Sequence, residues 1–160
     1  MNQERIFETF NRHGVNYLLI GGMNMLLRHG GSLTYDVDLW IEDNKENRLR
    51  CHHALAELEA AWGPNDVEWG PIAKKSLAWL ECQGVLCVLS PAGTIDIFRS
   101  VEGMTSWSEC SNRASKVKTR QGMEILALSD EDLLKCQLAL PQQVQKQDRI
   151  RFLKQVLHLP

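Results

Sequence analysis

The sequence predicts an α/β (α+β) fold: a small mixed β-sheet with helices packed on one face, in one domain over residues 1–160 whose portion from about 129 to 160 is helical. Three observations predict it. Short apolar runs end at turn residues, as Leu18-Leu19-Ile20 does at Gly21-Gly22 and Val85 to Leu89 does at Ser90-Pro91. Residues 36–41 and 94–98 alternate with period 2, as half-buried strands do. Elsewhere apolar residues recur at helical spacing, and a chain of this length can bury a sizeable core around such elements.

Taken in order, residues 4–13 form a helix with Ile6, Phe7 and Phe10 on one side and Gly14 as its stop. Residues 15–20 are a strand buried on both faces. Residues 23–28 form a short helix in which Met23, Leu26 and Leu27 share a packed face. The strand 35–41 follows, with Val37, Leu39 and Ile41 facing one way and Asp36, Asp38 and Trp40 the other. Asp43-Asn44 caps a helix running to about 61, with Leu49, Leu55, Leu58 and Ala61 inward and Gly63-Pro64 as its end. Residues 65–83 have little periodicity. Residues 85–89 give a short buried strand, and the turn Ser90-Pro91-Ala92-Gly93 returns residues 94–98 antiparallel beside it. Asp96 lies between Ile95 and Ile97, so this strand repeats the parity of the earlier one. A hairpin over 116–128 precedes a helix over 131–140 with Ser129 and Asp132 as a capping box. Pro141 breaks that helix, and a last one runs to His158 with Val144, Phe152, Leu153, Val156 and Leu157 apolar.

A formal charge of −2 gives no general attraction to nucleic acid or to an anionic membrane. No apolar run is long enough to span a bilayer, and the first residues lack a signal-peptide pattern. Five cysteines without C-x-x-C spacing read as reduced thiols, so the expected location is cytoplasmic.

The chemistry concentrates in residues 17–42. Asp36 and Asp38 point to the same side and can converge on one cation. Gly21-Gly22 lets backbone N–H groups and a helix start approach a phosphate. A cation clamp beside an anion cradle is the equipment of metal-dependent phosphoryl chemistry, in which hard cations about 3.5–4 Å apart hold the entering and leaving oxygens.

Gly21-Gly22, Asp36-x-Asp38 and the later Thr94-Ile95-Asp96-Ile97, with Leu39-Trp40-Ile41 and Leu128-Ser129-Asp130-Glu131-Asp132-Leu133, resemble the nucleotidyltransferase fold superfamily. Within it they are most similar to small bacterial members of the abortive-infection (AbiEii-like) and toxin–antitoxin type. The resemblance implies that Asp36 and Asp38 bind Mg²⁺ (or Mn²⁺) and the triphosphate. Asp96 would complete a second metal site and help deprotonate the acceptor hydroxyl. Gly21, Gly22, Met23, Asn24 and Thr34 would form the nucleotide-binding set. The implied partners are an NTP such as ATP, and an RNA (tRNA), protein or small-molecule acceptor, in a toxin–antitoxin or phage-defence setting, with no membrane.

Three positions often basic in that family read Ser32, Gln137 and Gln147, with Lys146 one residue early. A different substrate, weak activity or lost activity would each fit these replacements. The reading therefore carries two rivals: a non-catalytic module of the same fold that binds a partner protein or nucleotide, and a plain metal-dependent phosphohydrolase. Thr34 either orients Asp36 or caps its loop. Cys51-His52-His53 cannot converge on one metal from a helix and is placed at the surface or rim. His29 lies beside the phosphate loop. Trp40 and Phe98 would pack beneath the acids. Arg113, Lys116, Lys118 and Arg120 read either as edge-strand protection or as a track for triphosphate or RNA.

Overall fold

The first strand, β1 (Tyr17–Ile20), has all four residues buried, and the rest of the sheet assembles around it. It pairs antiparallel with β2 (Asp36–Ile41) and parallel, through Leu19 and Ala127, with β8 (Glu124–Ala127). In the computed structural model, which describes residues 1–31 and 33–160, the sheet has eight strands in the order β4-β3-β5-β6-β2-β1-β8-β7. The remaining strands are β3 (Ala61–Trp62), β4 (Gly70–Pro71), β5 (Val85–Ser90), β6 (Gly93–Phe98) and β7 (Ser115–Lys118). The mixed α/β class holds, with a wider sheet than the sequence announced. The expectation attached to Ser32 lies outside the described residues.

Six helices flank this sheet: α1 (Gln3–Arg12), α2 (Gly21–His29), α3 (Lys45–Glu57), α4 (Trp107–Asn112), α5 (Asp130–Ala139) and α6 (Gln147–Val156). Against one sheet face, Val37, Leu39, Ile41, Ile95 and Ile97 pack with Ile6, Phe7 and Phe10 of α1 and with Ala54 and Leu55 of α3. Each fully buried side chain of this kind contributes about 1.5–3 kcal/mol. The expectation of helices on one face only needs correction. Leu18, Ile20 and Trp40 on the other face form a second core with Cys110 of α4, Leu133 and Leu134 of α5, and Ile150 and Leu153 of α6. Their odd-even alternation on β1 gave each face an apolar set, which is why that strand is buried on both sides.

Caps explain most helix starts. Asn44 accepts from the Asn47 N–H at 2.9 Å and Ser129 accepts from the Asp132 N–H at 3.2 Å. α3 stops before the expected Gly63-Pro64, because Glu59 turns the chain with φ of 55° and Ala61-Trp62 joins the sheet. Leu49 lies at the surface, and Cys51 and Ala54 take the inward positions. Cys51 and His52 are buried rather than at the rim: His52 Nδ1 accepts from the Trp79 indole N–H at 3.0 Å. β5 is buried on one face only; Val85, Cys87 and Leu89 alternate outward to solvent. Val144 sits in an exposed turn before α6.

Candidate active site

The parallel register of β2 with β6 sets Asp38 directly opposite Asp96, Asp36 opposite Thr94 and Trp40 opposite Phe98. Alternation sends the three carboxylates to the face away from Val37, Ile95 and Ile97. One oxygen from each of Asp36, Asp38 and Asp96 lies within 4.8 Å of the others. Such an assembly is unfavourable when empty of positive charge. Asp38 is pushed up to about 7, first by burial and then by Asp36 and Asp96, against the opposing pull of Arg149 and Lys146. Asp96 Oδ1 is buried with no hydrogen-bond partner. A buried, orphaned carboxylate oxygen among like charges is the environment a hard divalent cation satisfies, so the residues fit the group.

Gly21 opens α2 at the edge of this cluster with φ of +68°, and a Cβ there would lie 1.8 Å from Asp38 Oδ2. Only glycine allows this approach. The residue before it, Ile20, has no side chain able to cap the helix, so the N–H groups of the first turn remain free for an anion. A Cβ on Gly22 would meet Thr34 Oγ1 at 3.1 Å and the Arg149 guanidinium at 3.5 Å. The Thr34 hydroxyl donates to Asp36 Oδ1 at 2.7 Å, so it orients that carboxylate. Two of the expected nucleotide contacts are otherwise engaged. Met23 is buried in the main core, and the Asn24 carboxamide donates to the carbonyls of Leu19 and Leu128, each at 2.9 Å. Asn24 thus ties β1 to the end of β8 instead of reaching the site.

Two basic residues close to the motif positions line the cavity. Gln137 Oε1 accepts from the Lys146 N–H at 3.0 Å and so fixes the chain entering α6. From there Lys146, the residue before α6, and Arg149 in its first turn line the same cavity as the three acids. Arg149 is the candidate site residue that sequence reasoning missed; its spacing of three from Lys146 was the available signal. Burial lowers its pKa, with Asp38 and Asp36 acting in the opposite sense. Among the described residues it has no ion-pair or hydrogen-bond partner.

The cavity encloses about 540 Å³, within the range of nucleotide-sized ligands. Its floor is Gly21, the acids and Phe98, and its roof is Leu133, Leu140 and Val144 from α5 and the turn after it. Other candidates fall elsewhere. His29 hydrogen-bonds Asp130 at 2.9 Å. Arg113 pairs with buried Asp132 at 2.7 Å and Lys116 with Glu124 at 3.4 Å, and neither they nor Lys118 and Arg120 line the cavity. No helix among the described residues is long and apolar enough to cross a membrane.

No protein-family profile matches this sequence, and no curated protein does. Solved structures do match its shape. A Thermotoga maritima protein designated a nucleotidyltransferase superposes with a TM-score of 0.56 at 15% identity, over 98% of this chain and 90% of that one. ANT(2'')-Ia, solved in complex with adenylyl-2''-tobramycin, gives a TM-score of 0.58 at 13% identity over 96% of this chain and 86% of its own. The solution structure of ANT(2'')-Ia, described as an antibiotic-resistance factor, gives 0.56 at 12% identity over 96% and 81%. At these identities the likeness is one of fold.

Proposed function

Since this chain has the nucleotidyltransferase fold, we propose that it transfers a nucleoside monophosphate from an NTP to a hydroxyl, releasing pyrophosphate. The observation that carries the proposal is the Asp38–Asp96 pairing, with Asp36 in reach and the bare first turn of α2 pressed against Asp38. Asp36, Asp38 and Asp96 would hold Mg²⁺ or Mn²⁺, which when bound supplies charge neutralisation of the phosphates and of the entering oxygen.

The chain's own residues divide the remaining work. The first-turn N–H groups of α2 at Gly21, Gly22 and Met23 bind phosphate oxygens. Lys146 and Arg149 balance the negative charge that accumulates on the departing pyrophosphate. The acceptor oxygen forms a bond to the α-phosphorus while the bond from that phosphorus to the bridging oxygen breaks, and pyrophosphate leaves with the electron pair. The acceptor proton goes to the Asp96 carboxylate. Leu133, Leu140 and Val144 exclude water from the nucleoside end of the cavity. The adenylylated ligand reported for ANT(2'')-Ia supports ATP as the donor. The stretches 94–97 and 128–133 favour a toxin–antitoxin or phage-defence setting through their resemblance to that group.

The test is to incubate the protein with Mg²⁺ and each NTP labelled at the α- or γ-phosphate, together with total RNA, lysate protein and small-molecule fractions. Label from the α-position alone should enter an acceptor, and Asp96→Asn should remove most turnover while keeping nucleotide binding. Tight NTP binding with no transfer to any fraction would refute the transferase reading. Release of label as free phosphate, independent of acceptor, would instead indicate a phosphohydrolase.

A further inference from the structure

The face that carries the acids is roofed only in part. α4, α5 and α6 cover β1, β8 and the Trp40 end of β2. On the other side of the acids the same face continues uncovered across β5, β3 and β4. Strand register fixes what stands there. Asp36 is opposite Thr94, Thr94 opposite Leu89, Leu89 opposite Ala61 and Ala61 opposite Pro71. One row along, Asp38 is opposite Asp96 and Asp96 opposite Cys87. Directly paired residues project to one side of a sheet, so both rows share a face. Leu89 is 51% exposed, and Cys87 and Pro71 are exposed as well. None of Cys87, Leu89, Ala61 and Pro71 lines the cavity under α5 and α6.

We propose that this open strip seats the acceptor, and that the acceptor is a polypeptide segment presenting a serine, threonine or tyrosine hydroxyl to Asp96. The inference rests on the transferase reading above and names its substrate class. Three features favour a polypeptide. First, the cavity has room for one nucleotide and lies beneath α5 and α6, whereas Cys87, paired with Asp96, is exposed on the uncovered side, so a second substrate reaches Asp96 from there. Second, no lysine or arginine stands on either row, so the strip beyond the acids offers nothing to neutralise an RNA backbone. Third, the row from Asp36 to Pro71 crosses five strands, about 19 Å at the usual strand spacing, which is the length of about six extended residues and longer than a small metabolite. Its surface of leucine, alanine and proline, interrupted by the Thr94 hydroxyl and the Cys87 thiol, offers apolar contact with a few hydrogen-bonding points.

The experiment uses the full chain with Mg²⁺ and α-labelled NTP, offered in parallel an array of serine-, threonine- and tyrosine-containing peptides and total RNA. Leu89→Lys is the variant, because Leu89 is exposed and outside the cavity; metal–NTP binding by thermal shift and the sedimentation coefficient are recorded for both proteins. The expected result is label in a subset of peptides, reduced at least tenfold by Leu89→Lys through a raised KM, with metal–NTP binding unchanged. Label in RNA alone, or peptide labelling that Leu89→Lys leaves intact, overturns the strip assignment while the transferase reading stands. Self-association of the wild type that Leu89→Lys abolishes also overturns it, since the strip is then covered by a second copy. Metal–NTP binding without transfer to any acceptor sinks the transferase reading and the inference with it.

Discussion

Replacing Asp38 with asparagine should make the metal-free protein more stable while removing its cation site. Asp38 titrates near 7 in the folded chain against an ordinary 3.8, chiefly because it is buried. As pH rises above about 4 the unfolded chain gives up this proton and the folded chain keeps it, so stability is lost progressively until about 7 and stays lost above. A shift of about 3 units at ~1.4 kcal/mol each sets a ceiling of ~4 kcal/mol, and screening at a partly open site reduces this to ~2 kcal/mol. For a chain of this size that is a rise in Tm of roughly 4–8 °C. The assay is thermal unfolding of both proteins in chelator across pH 4 to 8, repeated at pH 8 with excess Mg²⁺. The gap should be largest at pH 8, close toward pH 4, and shrink or reverse when Mg²⁺ stabilises only the wild type. An asparagine variant no more stable than wild type at pH 8 without metal would refute the picture of a desolvated, uncompensated carboxylate.

Other expectations follow from the same geometry. Gly21→Ala should cost more than about 2 kcal/mol in urea unfolding, because its φ is +68° and its Cβ would collide with Asp38, whereas Gly22→Ala should cost well under half of that; equal costs would count against the close packing of α2 on Asp38. Arg149→Met should weaken NTP binding by about tenfold to a hundredfold, the equivalent of one charge-assisted contact, without lowering Tm; a lowered Tm would point to a structural guanidinium instead. Divalent-cation affinity measured calorimetrically should rise with pH through about 7, where Asp38 is half ionised, and level off above it, and equal affinities at pH 5.5 and 8 would argue against a carboxylate cage.

The sequence made the acids legible because their signal is local. Alternation within each of two short strands separates its acids from its aliphatic residues, and the β2–β6 register then sets Asp96 opposite Asp38. Caps at Asn44 and Ser129 were readable for the same reason, since a side chain three residues from its N–H partner needs no tertiary context. Features that depend on distant partners were hidden. The two-residue strands Ala61–Trp62 and Gly70–Pro71 carry no periodicity, and the single bridge from Leu19 to Ala127 has no signature in either segment. Leu49 and Leu55 look alike as letters, and the phase of α3 decides between them: Asn47, Cys51, Ala54 and Leu55 share the inward stripe and Leu49 falls off it. Arg149 belongs to no motif, since the resemblance places its basic residue at position 147, where this chain has glutamine. Asn24 looked like a ligand because it follows the glycines, yet one helical step turns its side chain toward the seam between β1 and β8.

The parallel pairing of β2 with β6 also orders events in time. Asp38 and Asp96 become neighbours only when those strands meet, and α3 together with β3, β4 and β5 lies between them in the chain. Closing so long a loop comes late in the assembly of a mixed sheet. A refolding chain therefore offers a cation only the Asp36–Asp38 pair of one strand until the centre of the sheet is complete. Mg²⁺ should leave the refolding limb of a chevron nearly unchanged and lower the unfolding limb, acting on the half-life of the finished protein and not on the speed of its making.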